Sequence, residues 1–318
     1  MRLTPDELEG RGEELRRRLG ACDLCPRRCG VDRLRGETGF CGAAQAVPVA
    51  AALAHHGEEP PLSGTRGAGT IFFGGCNLRC AYCQNRQISR LETPQRLLDP
   101  QALAGEMLRL QEAGCHNIEL VTPSHLGPQI LLALAAAARG GLALPIAYNT
   151  GGYDGLETLR ALDGAVDIYL PDLKYADAGI AAELSGAADY WSVASAAVRE
   201  MLRQVGGLSP AGEGTAQRGL IVRHLVLPNG LSGSPAVLEF LAALDPRPAV
   251  SLMAQFYPVP GCEHPLLQRP LFAAEYARVV ERMEALGLGE GWVQDLSSQE
   301  TWRPDFSRLD PFAPRPGE

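Results

Sequence analysis

Thr70-Ile71-Phe72-Phe73-Gly74-Gly75-Cys76-Asn77-Leu78-Arg79-Cys80-Ala81-Tyr82-Cys83-Gln84-Asn85 is a β-like apolar run that breaks at two glycines and runs into three closely spaced cysteines. Gly74 and Gly75 let the backbone leave the strand in a tight loop, and the short spacings bring the three sulfurs together. Iron–sulfur cubanes are normally held by four cysteine thiolates. A compact set of Cys76, Cys80 and Cys83 therefore leaves one iron without a protein ligand and open to chemistry. A structural zinc site fits less well, because such sites are closed by four ligands.

Outward from this stretch the same rhythm repeats: a short β-like run, a loop, then a helical pattern. Strands are predicted at 70–73, 117–121, 144–149, 166–170, 220–226 and 251–255. Helical patterns fall between most of them: 100–113, capped by Asp99 with Gly114 behind it, 127–139 and 190–205. Repeated βα units imply a parallel sheet with right-handed crossovers. A chain of 318 residues with 46% apolar content can bury one large core, and α/β barrels reach this length as one domain. The expected division is an N-terminal module at 1–57 and the barrel with a C-terminal extension at 58–318.

The N-terminal module opens on Thr4-Pro5-Asp6-Glu7, a helix-start signal, with Leu8, Leu15 and Leu19 as a partial apolar stripe. Cys22, Cys25, Cys29 and Cys41 follow in a loop-rich segment. Four thiolates can close a metal site, and both a zinc ion and an auxiliary [4Fe-4S] cluster satisfy the count. Nine cysteines, odd in number and grouped, with no N-terminal apolar signal segment, suggest metal ligation in a reducing cytoplasm rather than a disulfide framework. The apolar run at 130–138 is too short to span a bilayer. A net charge of -8 disfavours a nonspecific nucleic-acid binder, which carries a basic footprint.

In α/β barrels the chemistry lies at the C-terminal strand ends, and here those ends are polar. The second predicted strand runs into Thr122-Pro123-Ser124-His125, the third into Asn149-Thr150-Gly151-Gly152-Tyr153 and the fourth into Asp172-Leu173-Lys174. Lys174 is the single lysine of a chain with 29 basic residues, which marks it as a charged contact to a ligand. The fifth strand carries Arg223 and His224, which alternation places on opposite faces, so that only one of them points inward.

The run CxxxCxΦC, with Tyr82 before the last cysteine, resembles the signature of radical S-adenosylmethionine (SAM) enzymes. The stretch from Gly75 to Asn85 resembles the pyruvate formate-lyase activating-enzyme branch. The resemblance spans 58–260 and extends to an uncharacterised activating-enzyme-like subgroup through "GTIFFGGCNLRCAYCQN", "LVTPSH" and "IYLPDLKY". It implies an open, partial (βα)6 TIM-like barrel and a [4Fe-4S] cluster on Cys76, Cys80 and Cys83. The fourth iron would chelate SAM and cleave it to methionine and a 5'-deoxyadenosyl radical, with reduced flavodoxin or ferredoxin as electron donor. "YNTGGY", "DLK" and "VRHLVLP" resemble that branch's cofactor-contacting segments, which implies Asn149, Asp172, Lys174 and Arg223 as SAM contacts beside Tyr82. The second strand departs from the pattern: it ends in "VTPSH" where activating enzymes have a Gly-Gly-Glu motif for the SAM amino group. Thr122 and Ser124 are expected to supply acceptors there instead.

The remaining candidates are read from position. His125 follows a strand end and is a candidate proton donor or substrate contact; Cys262, beyond the sixth strand, is a candidate hydrogen-atom donor or metal ligand. His55 and His56 are expected on a solvated turn, and Cys115 as a small buried hydrophobe. Residues 209–219 are expected to form a mobile loop. The aromatic, proline-rich segment 292–314, with Trp302, Phe306 and Phe312, is expected to pack beside the last strand or cover the barrel mouth. Two function classes follow: a radical enzyme acting on a protein or a small metabolite, and a noncatalytic metal-binding scaffold. An activase must admit a peptide loop through a wide mouth; a metabolite enzyme closes that mouth.

Overall fold

The computed structural model describes residues 1–210, 214–301 and 303–313. Its ten strands are β1 (Val47–His55), β2 (Ala68–Phe73), β3 (Arg96–Leu98), β4 (Ile118–Val121), β5 (Ile146–Thr150), β6 (Ile168–Pro171), β7 (Ser209–Pro210), β8 (Ala216–Leu225), β9 (Ala249–Met253) and β10 (Gly291–Val293). One path runs β10-β9-β8-β6-β5-β4-β2-β1-β3, with β7 pairing only to β8. From β2 through β10 the strands on this path are parallel, while β1 and β3 extend the β2 edge antiparallel. The two ends of the path do not meet, so the sheet is an open, TIM-like partial barrel. All six predicted strands are present within it, and β10 is an additional parallel strand.

Local sequence accounts for the main helices. Asp99 caps Pro100–Glu112 by accepting from the Ala102 N–H at 2.7 Å. Thr4 opens Pro5–Arg17 with a reciprocal cap: its hydroxyl accepts from the Glu7 N–H, and the Glu7 carboxylate accepts from the Thr4 N–H. Gly127–Arg139 and Tyr190–Val205 form as the apolar periodicity predicts, burying Ile130, Leu131 and Leu134 in the first and Val198 and Met201 in the second.

The N-terminal helix packs on the barrel helix Gly127–Arg139, where Gly12 lets the two backbones approach around Leu132. Arg139 joins them with ion pairs to Asp6 at 2.7 Å and Glu9 at 2.5 Å. The sheet also takes in β1, which lies on the N-terminal side of the division expected at residue 57. Its first three residues pair with β3 and most of its length with β2, so the barrel sheet begins at Val47.

Two expectations are corrected. His55 does not lie on a solvated turn: it closes β1 opposite Ala68 and is buried, whereas His56 is exposed. The stretch 209–219 is largely strand, because Ser209 and Pro210 pair antiparallel with Arg218 and Ala216; residues 211–213 lie outside the described residues. In the C-terminal segment, Phe306 and Phe312 pack against Phe72, with ring centroids 5.3 and 5.4 Å away. Phe312 also lies 4.1 Å from the His55 ring. Trp302 and Pro314 lie outside the described residues.

Candidate active site

Strand alternation decides which side chains enter the barrel. On β2, Ile71 and Phe73 join the core beneath the helices, while Thr70 and Phe72 face inward; on β4, Glu119 and Val121 do the same. Along β8, Arg223 points into the cavity and His224 away from it. The His224 Nδ1–H donates to Leu173 O at 2.6 Å, and its Nε2 accepts from the Ser234 hydroxyl at 2.8 Å.

The main cavity opens at the C-terminal strand ends. Cys76, Cys80 and Cys83 line it together with Tyr82, Thr122, Asn149, Asp172, Lys174 and Arg223. Each of the three sulfurs accepts one hydrogen bond: Cys76 from the Leu78 N–H at 3.3 Å, Cys80 from the Ser185 hydroxyl at 3.1 Å and Cys83 from the Ser89 hydroxyl at 3.4 Å. Burial pushes the Cys76 thiol up to about 12 and also raises Cys83, with the neighbouring cysteines adding to both. As bare thiols both are neutral at pH 7, and a bound metal is what would hold them as thiolates.

Two charged groups stand opposite the cysteines. Burial alone would lower the Lys174 ammonium, but Asp172 first, and then Cys80 and Tyr82, hold it well above the ordinary lysine value. Lys174 is accordingly a cation ion-paired to Asp172. Tyr190 fixes the loop that carries the pair: its hydroxyl lies 2.8 Å from both Gly151 O and Asp172 O and 3.0 Å from the Lys174 N–H. Tyr82 sits edge-on to Tyr175 and Phe256, which makes an aromatic wall beside the cysteines.

Thr122 is the strained residue of the site, with φ of 62° in the left-handed region, where a β-branched residue is a rare outlier. Its N–H is held by Asn149 O at 2.8 Å, which fixes the turn that aims it at the cavity. Ser124 is elsewhere: its hydroxyl lies 2.8 Å from that of Thr150, in a buried network that continues to Asp154 and Tyr148.

Neither catalytic candidate lies on this cavity wall. His125 is buried on the far side of the cysteine loop, against the N-terminal module, with its Nε2–H donating to Gly74 O at 3.1 Å. Cys262 is buried in the loop that follows β9.

The cavity also holds an acidic cluster that position alone did not single out. Arg223 pairs with Glu59 at 3.0 Å and Glu58 at 3.4 Å, while Glu119 accepts from Thr70 and Asn149 at 3.0 and 2.8 Å. Burial raises both Glu58 and Glu119, and Glu119 raises Glu58 further. The opposing effect of these acids outweighs burial at Arg223 and holds its guanidinium above the ordinary arginine value. The available signal was the charged residue Glu119 in the middle of a strand otherwise made of Ile118, Leu120 and Val121. Pro304 and Phe312 complete the lining from the C-terminal segment.

The open parallel barrel thus carries a cysteine triad and a buried ion pair on one cavity at its C-terminal strand ends, where barrel enzymes place their active sites. Residues 70–204 match the family model described as the radical SAM superfamily. An uncharacterized protein of Methanocaldococcus jannaschii is 26% identical over 294 residues, covering 90% of this chain and 81% of that protein. A domain of pyruvate-formate lyase-activating enzyme from Bacteroides vulgatus is similar at 15% identity and a TM-score of 0.35, over 62% of this chain and 91% of that one. The FeFe-hydrogenase maturase HydG from Carboxydothermus hydrogenoformans is similar at 13% identity and a TM-score of 0.48, over 69% of this chain and 50% of that one. No helix among the described residues is long and apolar enough to cross a membrane.

Proposed function

We propose that this radical SAM enzyme cleaves SAM reductively at a [4Fe-4S] cluster on Cys76, Cys80 and Cys83, and that the resulting radical removes a hydrogen atom from a substrate in the barrel. One observation carries the reading: three thiols, each with its own hydrogen-bond donor, face the Asp172–Lys174 pair across a single cavity. When bound, the cluster supplies one electron at an iron left open by the three-cysteine set. Lys174 and Asp172 are suited to orient the charged methionyl end of SAM. Thr122 and Asn149 offer polar contacts at the strand ends, and the Tyr82 wall excludes water from the cysteines. Reduced flavodoxin or ferredoxin is the proposed electron donor.

Pro304 and Phe312 line the same cavity, and Phe306 packs beside them on Phe72. A mouth narrowed in this way favours a small substrate over the peptide loop that a glycyl-radical activase of the pyruvate formate-lyase activating type would admit. The four N-terminal cysteines are proposed to hold a second metal group. The test is anaerobic reconstitution with iron and sulfide followed by electron paramagnetic resonance of the dithionite-reduced protein. A cluster signal that shifts on adding SAM, and is absent from Cys80→Ala, supports the proposal. A reduced cluster indifferent to SAM favours the scaffold reading. Radical transfer to a captured partner protein in place of a small molecule would restore the activase.

A further inference from the structure

The acids around Arg223 leave the cavity out of electrical balance, and the imbalance bears on what enters it. Beside the cysteines the charges match, with Lys174 paired to Asp172. Around Arg223 three buried carboxyls, Glu58, Glu59 and Glu119, meet one cation. Among the described residues no other lysine or arginine comes within ion-pair distance of them. Glu119 is satisfied by two neutral donors, Thr70 and Asn149. Glu59 takes the closer contact with Arg223, at 3.0 Å.

Glu58 is left over, and it is the one of the three that lines the cavity. Its side chain is 7% exposed, and its Oε2, 3.4 Å from Arg223 Nη1, receives no hydrogen bond among the described residues. Buried polar atoms are normally hydrogen-bonded, so a bare carboxylate oxygen on a cavity wall indicates a donor that comes from outside the chain. Burial first, and Glu119 next, push this carboxyl above its ordinary value. A cation beside it would let it ionise, with its proton passing to solvent.

The wall next to Glu58 decides which kind of cation fits. His55 Nε2 lies 3.8 Å from Glu58 Oε1, and the His55 ring lies 4.1 Å from that of Phe312 and 6.1 Å from that of Phe72. His55, Phe72 and Phe312 all line the cavity. Burial holds His55 down at about 4, so its imidazole is uncharged at pH 7 and does not itself supply the missing cation. Hard metal ions take a shell of six or more oxygens, whereas rings occupy this side of Glu58. Aromatic rings beside a carboxylate suit an organic cation. The segment that brings Phe312 is held in place by Gln87, whose Nε2 donates to Asp305 Oδ1 at 3.0 Å and whose Oε1 accepts from the Phe306 N–H at 2.7 Å. An anionic group would instead need Arg223, which is already committed to Glu58 and Glu59.

We propose that the substrate is a small molecule bearing an ammonium or guanidinium group, which binds at Glu58 against Phe72 and Phe312. This rests on the reading that a small substrate enters the barrel. The test titrates the reconstituted full chain, oxidised and saturated with SAM so that no turnover occurs, by calorimetry with n-butylammonium and with two probes of similar size, n-butanol and butyrate. Butylammonium should bind at least about tenfold more tightly than either. Glu58→Gln, which keeps the shape of the side chain, should lose that preference, and Glu58→Asp should recover part of it. Phe312→Leu, in the C-terminal segment, should weaken butylammonium about two- to fivefold and leave n-butanol unchanged. No saturable binding of butylammonium, equal binding of n-butanol, preferred binding of butyrate, binding seen only when SAM is omitted, or wild-type binding by a folded Glu58→Gln overturns the proposal. SAM cleavage is read separately, from 5'-deoxyadenosine formed by the reduced chain, so its failure is distinguishable from a failure of cation binding.

Discussion

Arg223 and Glu59 form an ion pair at 3.0 Å inside the barrel, with side chains only 14% and 5% exposed. The arginine expected to contact SAM is therefore also the cation that holds Glu58 and Glu59 beside Glu119. Removing one partner of a buried ion pair leaves an uncompensated charge and costs about 3–5 kcal/mol. Arg223→Leu should lower the unfolding free energy by that amount and shift the denaturation midpoint down accordingly, and Arg223→Lys should recover part of it. A midpoint unchanged in Arg223→Leu would mean that the acids are neutral without it.

The same cluster sets a pH dependence. Burial raises the folded-state pKa of Glu58 and Glu119 above the ordinary 4.5. Below 4.5 the folded and unfolded chains are both protonated at these sites. As pH rises past 4.5, the unfolded chain ionises while the folded chain keeps its protons, so the stabilising contribution is lost with rising pH. Glu119→Gln should flatten this fall in denaturant titrations between pH 5 and 8.

His224 acts with the opposite sign. Burial lowers its pKa from 6.5 to about 4, against the smaller opposing effect of the Leu173 carbonyl. Its contribution is fully present above 6.5 and is lost as pH falls toward 4, at about 1.4 kcal/mol per pH unit and about 3 kcal/mol in all. Its ring protons should show no titration above pH 5 by nuclear magnetic resonance. His224→Gln should remove this part of the acid sensitivity.

Thr122 holds a left-handed backbone at φ 62°, a strain of about 1–3 kcal/mol in a non-glycine residue. Thr122→Gly should leave the fold as stable or more so, while weakening SAM affinity several-fold by calorimetry on the reconstituted protein. A variant that loses stability instead would show that the Thr122 side chain is a packing element.

The strands and helices were legible because their periodicities are local: the alternation that separates Arg223 from His224 lies in five consecutive residues. The cysteine triad was legible for the same reason. What escaped depends on distant pairings. His55 looked like a turn residue until its pairing with Ala68 buried it, and Glu58 and Glu59 meet Arg223 across more than 160 positions of chain. His125 sits at a strand end like a catalytic residue, but the N-terminal module covers that side of the loop and turns it toward Arg33. Ser124 was likewise drawn into a buried network by Thr150.

The central claim is that the three cysteines and the charges facing them serve SAM cleavage, and the most direct measurement is product formation by the reconstituted, dithionite-reduced chain under anaerobic conditions. The account predicts 5'-deoxyadenosine and methionine in equal amounts from the wild type, none from Cys76→Ala, and a loss of at least tenfold in Lys174→Met, whose removal unpairs a buried carboxylate at about 1.4 kcal/mol or more. Wild type and Cys76→Ala behaving alike, with a reduced cluster verified in the wild type, would contradict it.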